Sequence, residues 1–118
     1  MNTDCNKTNC PVVASLDMIG GKYKALILWH LFAGTQRFGE LRRLIPGATQ
    51  KMLTQQLREL ESDGLVIRKV YAVVPPKVEY RLSKLGQSIK PILDAMRDWG
   101  TDYMKNNGVE ADCFMTKE

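Results

Sequence analysis

The segment from Thr49 to Gly64 constrains the fold of this chain more than any other stretch. Leu53, Leu57 and Leu60 fall at positions i, i+4 and i+7, which places them on one face of a helix. Thr49 is a suitable N-cap, although no Glu or Gln follows three residues later to complete a capping box. Gly64 supplies a C-terminal stop. The segment therefore predicts an amphipathic helix with its leucines turned toward the rest of the chain.

The opposite face of this predicted helix is cationic and rich in amide and hydroxyl groups. It carries Lys51, Thr54, Gln55, Arg58 and Ser62, with Gln50 at its edge. Such side chains bond phosphates and base edges in the major groove of DNA. An ordinary amphipathic surface helix also has a polar outer face, so this face alone does not decide between the two interpretations.

A shorter helix is predicted immediately before this one. Its apolar residues Phe38, Leu41, Leu44 and Ile45 share one side, and Arg42 and Arg43 lie elsewhere. The residues Pro46 and Gly47 then end the helix and turn the chain. Two short helices joined by a tight turn, the second polar on its outer face, predict a helix-turn-helix.

The positive charge of the chain is concentrated in the same region. Residues 37–81 contain nine basic and five acidic side chains, and the remainder contains eight of each, so the whole net charge of +4 lies there. A surface that binds nucleic acid requires such a local excess. With 118 residues, of which 44% are apolar, the chain is expected to form one domain with a modest core.

After Gly64 the hydrophobic pattern changes from the period of a helix to that of a strand. Residues 65–74 are rich in β-branched side chains, a Pro-Pro pair turns the chain, and residues 77–82 alternate between apolar and charged side chains. A β-hairpin directly after a helix-turn-helix predicts a winged helix. Lys77 at its tip is suited to contact with phosphate or the minor groove. The alternative role of the hairpin is to cover the core, which its inner residues should do in either case.

Two helices are predicted on the N-terminal side. The first begins at Pro11, after Cys10, and ends at Ile19 before a Gly-Gly pair. The second, over residues 22–33, has so broad an apolar face that it should be central and buried. Residues 35–37 are expected to form a short strand before the helix-turn-helix.

The last predicted helix begins after the cap Ser83 and should be kinked by Pro91. Its aspartates, Asp94, Asp98 and Asp102, form a stripe that is expected to face solvent. One small core cannot bury the apolar residues of both this helix and the first, so we expect burial against a second copy of the chain. The expected dimer contacts are Val12, Leu16, Leu85, Ile89, Ile92, Leu93, Met96 and Trp99.

Many separated motifs together resemble the HxlR-type transcriptional regulators, a bacterial and archaeal group within the wider MarR-like winged-helix proteins. In chain order they are Cys10-Pro11-Val12, Ile19-Gly20-Gly21-Lys22-Tyr23-Lys24, Arg37-Phe38-Gly39-Glu40-Leu41, Ile45-Pro46-Gly47, Lys51-Met52-Leu53-Thr54, Leu57-Arg58-Glu59-Leu60, Asp63-Gly64-Leu65-Val66, Val74-Pro75-Pro76-Lys77-Val78-Glu79-Tyr80 and Leu82-Ser83-Lys84-Leu85-Gly86. The resemblance covers roughly residues 10–100. It implies a dimeric winged-helix protein that binds a palindromic operator in double-stranded DNA, with dimer contacts from the first and last helices. Residue 23 is Tyr where many relatives have Trp, which keeps its aromatic role.

The predicted fold is α+β and mostly helical: a winged helix-turn-helix with a two-stranded β-hairpin wing and an added C-terminal dimerisation helix. It occupies residues 10–105, between a mobile arm at residues 1–9 and a flexible tail at residues 106–118. The predicted DNA-binding residues are Arg42, Arg43, Thr49, Gln50, Lys51, Thr54, Gln55, Arg58 and Lys77. A winged-helix module that contacts only proteins is the alternative function, although it would expose apolar residues on this face.

The cysteines indicate the compartment and a candidate sensor. Three is an odd number that makes no disulfide framework, and no signal peptide or membrane-spanning run is present, so a cytoplasmic protein with reduced thiols is expected. Cys10 precedes a helix, whose dipole and unpaired N–H groups lower the pKa of a thiol. Some regulators that the chain resembles use a cysteine at the matching position to form an intersubunit or mixed disulfide. Cys10 is therefore predicted to sense oxidants or electrophiles, with Cys5 or Cys113 as resolving thiol; a plain N-cap residue is an equally weighted alternative.

No pairing of nucleophile and base can be assembled from this sequence, so neither enzymatic activity nor a cofactor is expected. His30, the sole histidine, falls within the apolar second helix and is expected to be a core residue. Close-spaced pairs of metal ligands are missing, so no metal site is expected. The expected partners are double-stranded DNA, a second copy of the chain, and an oxidant or small molecule as effector, with no membrane.

Overall fold

The structure is a computed structural model that describes residues 10–110. Within that range lie six helices and three strands: α1 Pro11–Ile19, α2 Lys24–Leu31, β1 Gln36–Arg37, α3 Phe38–Leu44, α4 Gln50–Ser62, β2 Val66–Tyr71, β3 Lys77–Leu82, α5 Lys84–Gln87 and α6 Lys90–Asn106. The architecture is the α+β winged helix-turn-helix predicted from the sequence. The predicted mobile arm, most of the predicted tail, and the residues Cys5 and Cys113 lie outside the described residues.

The first two helices differ in how well their bounds were predicted. Helix α1 begins as expected at Pro11, with Cys10 as N-cap, and the carbonyl of Cys10 accepts a hydrogen bond from Ala14 N–H at 3.0 Å. Helix α2 is shorter than the predicted span of residues 22–33. At its C-terminus the N–H groups of Ala33 and Gly34 bond to carbonyls three residues back, which tightens the chain into a turn and ends the helix.

The helix-turn-helix is formed by α3 and α4. Thr49 caps α4 as predicted, because its hydroxyl oxygen accepts a hydrogen bond from Met52 N–H at 3.1 Å. Gly64 follows the C-cap with a φ of +84°, a left-handed conformation that favours glycine and ends the helix. One prediction for α3 is wrong: Leu44 does not share the buried side of Leu41, since 44% of it is exposed. The helix ends at Leu44, and the following Ile45 leaves the helical conformation and turns into the core instead.

The hairpin is part of a three-stranded antiparallel sheet with strand order β1-β3-β2. The short strand β1 was predicted, and it pairs along the free edge of β3, with Gln36 opposite Tyr80. Strands β2 and β3 pair from Val66 opposite Leu82 to Tyr71 opposite Lys77. The inner residues Tyr80 and Leu82 are buried, as their alternation predicted.

The predicted single C-terminal helix, kinked at Pro91, is two helices instead. Ser83 caps only the short α5, where its hydroxyl accepts a hydrogen bond from Gly86 N–H at 3.0 Å. Helix α6 then starts at Lys90, which puts Pro91 in its first turn. There the absent proline N–H is not needed by the helix, whereas inside a continuous helix the ring would clash with the preceding turn.

The core gathers around α2, which is central as its broad apolar face predicted. Ile27 and Leu28 are fully buried, and α4 contributes all three leucines of its apolar face. The buried apolar residues are Ile19, Tyr23, Ile27, Leu28, Leu31, Leu41, Ile45, Ala48, Leu53, Leu57, Leu60, Leu65, Val66, Tyr80, Leu82, Ile89 and Leu93. None of the helices in residues 10–110 is both long enough and apolar enough to cross a membrane.

Candidate nucleic-acid interface

Five of the predicted DNA-binding residues meet in one surface groove. The groove runs along the outer face of α4, has a volume of about 540 Å³, and is open to solvent. It is lined by Gln50, Lys51, Thr54, Gln55 and Arg58. The leucines on the opposite face of α4 are buried, so this polar face is directed outward by the packing of the helix.

The side chain of Gln55, which lines the groove, is hydrogen-bonded to an ion pair between Glu59 and Lys24. The amide of Gln55 donates to Glu59 Oε2 at 3.3 Å, and the ammonium of Lys24 lies 2.7 Å from Glu59 Oε1. Lys24 is only 6% exposed in its side chain, so Glu59 supplies the counter-charge for a buried cation at the start of α2. The hydrogen bond and the charge of Lys24, followed by the hydrogen bond from Gln55, lower the pKa of Glu59. Glu59 is therefore anionic near neutral pH and orients one edge of the Gln55 amide.

Gln56, which the sequence did not single out, attaches the inner side of α4 to the start of α2. Its Oε1 accepts a hydrogen bond from the backbone N–H of Tyr23 at 2.9 Å. The hydroxyl of Tyr23 in turn donates to the carbonyl of Gly47, in the turn of the helix-turn-helix, at 2.8 Å. The available signal was the position of Gln56 between Leu53 and Leu57, at the border of the apolar face of α4.

Four predicted DNA-binding residues lie outside the groove along α4, three of them in or next to the helix-turn-helix and the fourth, Lys77, in the wing. Thr49 is exposed and its hydroxyl oxygen is used to cap the helix. Arg42 and Arg43 are exposed in the last turn of α3, where the helix dipole favours cations. Neither side chain lines the groove.

Lys77, the predicted cation of the wing tip, is engaged within the wing itself. Its ammonium lies 3.2 Å from Glu79 Oε2 and 4.7 Å from the centre of the Tyr71 ring. Lys69 lies 4.9 Å from the centre of the same ring, and the hydroxyl of Tyr71 donates to Glu79 Oε1 at 2.9 Å. That hydrogen bond is the main cause of a lowered pKa at Glu79. The wing thus holds two cations around one tyrosine and one carboxylate.

The predicted dimer residues divide into two groups. Ile89 and Leu93 are 9% and 2% exposed and pack in the core of this chain, so they are not part of an exposed face as the sequence led us to expect. They face inward because α5 and α6 are separate helices, which lets the start of α6 turn against α2. The others leave two exposed apolar faces, Val12 and Leu16 on α1, and Leu85, Ile92, Met96 and Trp99 on α5 and α6. Tyr103 on α6, which was not among the predicted dimer residues, is also exposed.

The remaining candidates are single residues. Cys10 is half-buried at the N-cap of α1. His30 is buried at the end of α2, as expected of a core residue, and this burial lowers its pKa below the ordinary value. Across residues 10–110 the structure brings no three His, Cys, Asp or Glu side chains together in a metal-binding group.

Comparison with known proteins agrees with this geometry. The model of the HxlR-like helix-turn-helix family matches residues 18–108. The uncharacterized HTH-type transcriptional regulator YtcD of Bacillus subtilis is 54% identical over 112 residues, which cover 95% of this chain and 87% of YtcD. A crystal structure of ytcD superposes with a TM-score of 0.78 at 56% identity, covering 80% of this chain and 97% of that one.

A second solved structure is that of the redox regulator HypR in its oxidized form. It has a TM-score of 0.75 and 53% identity, covering 79% of this chain and 96% of HypR. The family model covers most of the chain, and the curated relatives are regulators rather than enzymes. This chain therefore belongs to the HxlR-like helix-turn-helix family of transcriptional regulators.

Proposed function

We propose that this regulator binds double-stranded DNA as a homodimer, with α4 of each protomer in the major groove of one half of a palindromic operator. The observation that carries the proposal is the groove along α4, in which five polar and cationic side chains converge. The whole net positive charge of the chain lies within residues 37–81, where it favours association with the phosphates of DNA. An exposed apolar patch on this face would have favoured a protein partner instead, but the face is polar.

The groove offers both sequence-reading and backbone-binding groups. Arg58 is suited to bidentate contact with guanine, and Gln55 to contact with adenine. Lys51 and Gln50, at the start of the helix, are suited to phosphate. Lys77 would reach a phosphate or the minor groove by exchanging its ion pair with Glu79 for one with DNA.

The dimer rests on the exposed apolar residues of α1, α5 and α6. Trp99 is 70% exposed although its ring stacks on Tyr103 with centroids 5.5 Å apart. Large aromatic side chains in this state are the typical anchors of protein interfaces. A two-fold dimer would place two copies of α4 about 34–36 Å apart, one turn of DNA.

The proposed signal is an oxidant or electrophile that reacts with Cys10. The residue lies at the N-terminus of a nine-residue helix, whose dipole favours the thiolate. A thiolate that attacks the O–O bond of hydrogen peroxide becomes a sulfenic acid and releases hydroxide, and a second thiol then converts the sulfenic acid to a disulfide with release of water. HypR, which is 53% identical, is a redox regulator with structures in oxidized and reduced forms. Helix α1 also belongs to the proposed dimer contact, so modification of Cys10 would change the distance between the two α4 helices of the dimer.

DNA binding is tested by fluorescence anisotropy with a duplex of mixed sequence over a range of salt concentrations, together with a footprint on the DNA flanking the gene. We expect binding that weakens steeply with salt, and a footprint with two half-sites whose centres are one helical turn apart. A protein that binds neither duplex at low salt would contradict the proposal and favour the protein-interaction alternative.

A further inference from the structure

Besides the groove along α4, a basic crevice lies between α4 and the wing formed by β2 and β3. It has a volume of about 300 Å³ and is more enclosed than the groove along α4. Its lining comes from α4 on one side and from β2 and β3 on the other: Thr54, Arg58, Glu61, Arg68 and Tyr80. Arg68 was not among the residues selected from the sequence, because its neighbours on the strand gave no reason to distinguish it from other surface cations.

The crevice lies where the sugar-phosphate backbone of a bound duplex should pass. A helix that occupies the major groove and a hairpin that reaches the adjacent minor groove are separated by one sugar-phosphate strand, because that strand is the boundary between the two grooves. The crevice lies between these two elements on the side of Thr54 and Arg58, which also line the groove along α4. A duplex bound to that groove would thus lay a phosphate strand across the crevice.

The chemistry of the lining suits a phosphate. Arg58 and Arg68 contribute a guanidinium from each wall, and Thr54 contributes a hydroxyl. Neither arginine forms an ion pair with another residue in the range 10–110, so binding a phosphate would break none of the four ion pairs found there. Tyr80 is buried and lies opposite Arg68 in the β2–β3 register, which gives the strand side of the crevice a rigid base. Glu61 is the one carboxylate of the lining, so the crevice keeps a net positive charge.

We propose that this crevice is a binding site for one phosphate of the DNA backbone, and that Arg68 binds this phosphate whatever the DNA sequence. The proposal rests on the proposed function, since it assigns a further part of the same DNA interface. It also separates the roles of two arginines in one crevice. Arg58 belongs to the groove that reads bases, and Arg68 sets the register of the backbone against the wing.

Lys69 provides a matched control for Arg68. The two residues are adjacent on β2, so their side chains point to opposite faces of the sheet. Lys69 lies over the ring of Tyr71 and does not line the crevice. Both side chains are exposed, so neither substitution should disturb the fold, which a thermal melt would check.

The experiment measures the affinity of the full chain for its operator and for a mixed-sequence duplex as salt is varied. Because the dimer carries two copies of Arg68, Arg68→Gln should reduce the slope of log K against log salt by about 1.8, or about 0.9 for each protomer, and should weaken binding to both duplexes by about tenfold for each protomer at roughly 0.1 M salt. Arg68→Lys should keep the slope, since it keeps the charge. Lys69→Gln should change the slope by much less than Arg68→Gln, and Glu61→Gln should strengthen binding to both duplexes.

The results distinguish a failure of the phosphate-binding site from a failure of the proposed function. If the wild type binds its operator and Arg68→Gln keeps the wild-type slope, the proposed phosphate-binding site is wrong and the proposed function stands. If Arg68→Gln loses the preference for operator over mixed sequence, Arg68 reads bases, and the proposed phosphate-binding site is again wrong. If the wild type binds no duplex at low salt, the proposed function is wrong, and the assignment of Arg68 is wrong with it.

Discussion

Gln56 Oε1 accepts a hydrogen bond from Tyr23 N–H at 2.9 Å, which attaches the middle of α4 to the start of α2. The contact is close: a Cβ atom added at Gly21 would lie 2.7 Å from the same oxygen, so only glycine leaves Gln56 in place. Because the Tyr23 hydroxyl also binds the carbonyl of Gly47, the segment between α1 and α2 contacts both the helix and the turn that precedes it. The orientation of α4 thus depends on residues outside the helix-turn-helix.

Replacing Gln56 by Leu tests this dependence. The substitution keeps the size of the side chain but leaves the N–H of Tyr23, a buried residue, without its acceptor, which should cost about 1–3 kcal/mol of unfolding free energy in urea. Operator affinity should also fall, although Gln56 does not line the groove along α4. The control is Gln55→Leu at the neighbouring exposed position, which should change stability by less than about 0.5 kcal/mol. Equal losses of stability in the two variants would contradict the role of Gln56.

Arg58→Ala tests the assignment of α4 as the recognition helix, the helix that enters the major groove. If Arg58 reads a base, its loss should cost about 1–3 kcal/mol for each half-site of the operator and relax the preference at one position of each half-site. The control is Arg81→Ala, which removes the same charge from an exposed position on β3 outside the groove. Anisotropy titrations with operator variants measure both effects. An Arg58→Ala protein with wild-type operator affinity would overturn the assignment.

Trp99→Glu tests the dimer. A carboxylate placed in the centre of an apolar interface would be buried without a partner, which costs several kcal/mol and should give a monomer at micromolar concentration in sedimentation experiments. Because Trp99 is exposed in the single chain, the monomer should keep its helical circular dichroism. Val73→Glu, at an exposed apolar position between β2 and β3, should leave the dimer intact. A wild-type protein that sediments as a monomer would show that the apolar faces have another role.

The sequence was most informative where the signals are local. The cap at Thr49, the stop at Gly64 and the alternation in β3 each depend on a few neighbouring residues, and all three predictions are confirmed. The contacts of Gln56 with Tyr23 and of Lys24 with Glu59 join residues more than thirty positions apart, so no periodicity reveals them. The inward packing of Leu93 was missed for a related reason. The apolar stripe was drawn on one continuous helix, and the break before Lys90 changes which side faces the core.

The pH dependence of stability should reveal the pair of Lys24 and Glu59. Hydrogen bonding and attraction by Lys24 lower the pKa of Glu59 in the folded chain, so the ionised carboxylate stabilises the fold fully above its ordinary pKa of 4.5. That contribution is lost as the pH falls through the lowered pKa. The melting temperature of Glu59→Gln should therefore lie below that of the wild type at about pH 7, and the difference should shrink toward about pH 3.

The control for this experiment is Glu61→Gln, two positions further along α4. Glu61 forms no ion pair with the residues that the structure describes, so its substitution should leave the pH profile close to that of the wild type. A difference between wild type and Glu59→Gln that stays constant down to about pH 3 would show that Glu59 acts through packing rather than charge.

Cys10→Ser tests the redox signal. Cys10 caps α1, and the chain continues from α1 through Gly21 and Tyr23 to the contact with Gln56, so a change at the start of α1 has a path of bonded elements to α4. Mild peroxide or diamide should change operator affinity at least fivefold in the wild type, the lower end of ordinary coupling between two sites, and should not change it in Cys10→Ser. Serine keeps the size of the cap, so the unoxidised variant should bind like the wild type. Dithiothreitol should reverse the effect if the product is a disulfide. An oxidant response that persists in Cys10→Ser, or that is absent from the wild type, would assign the signal to another part of the protein.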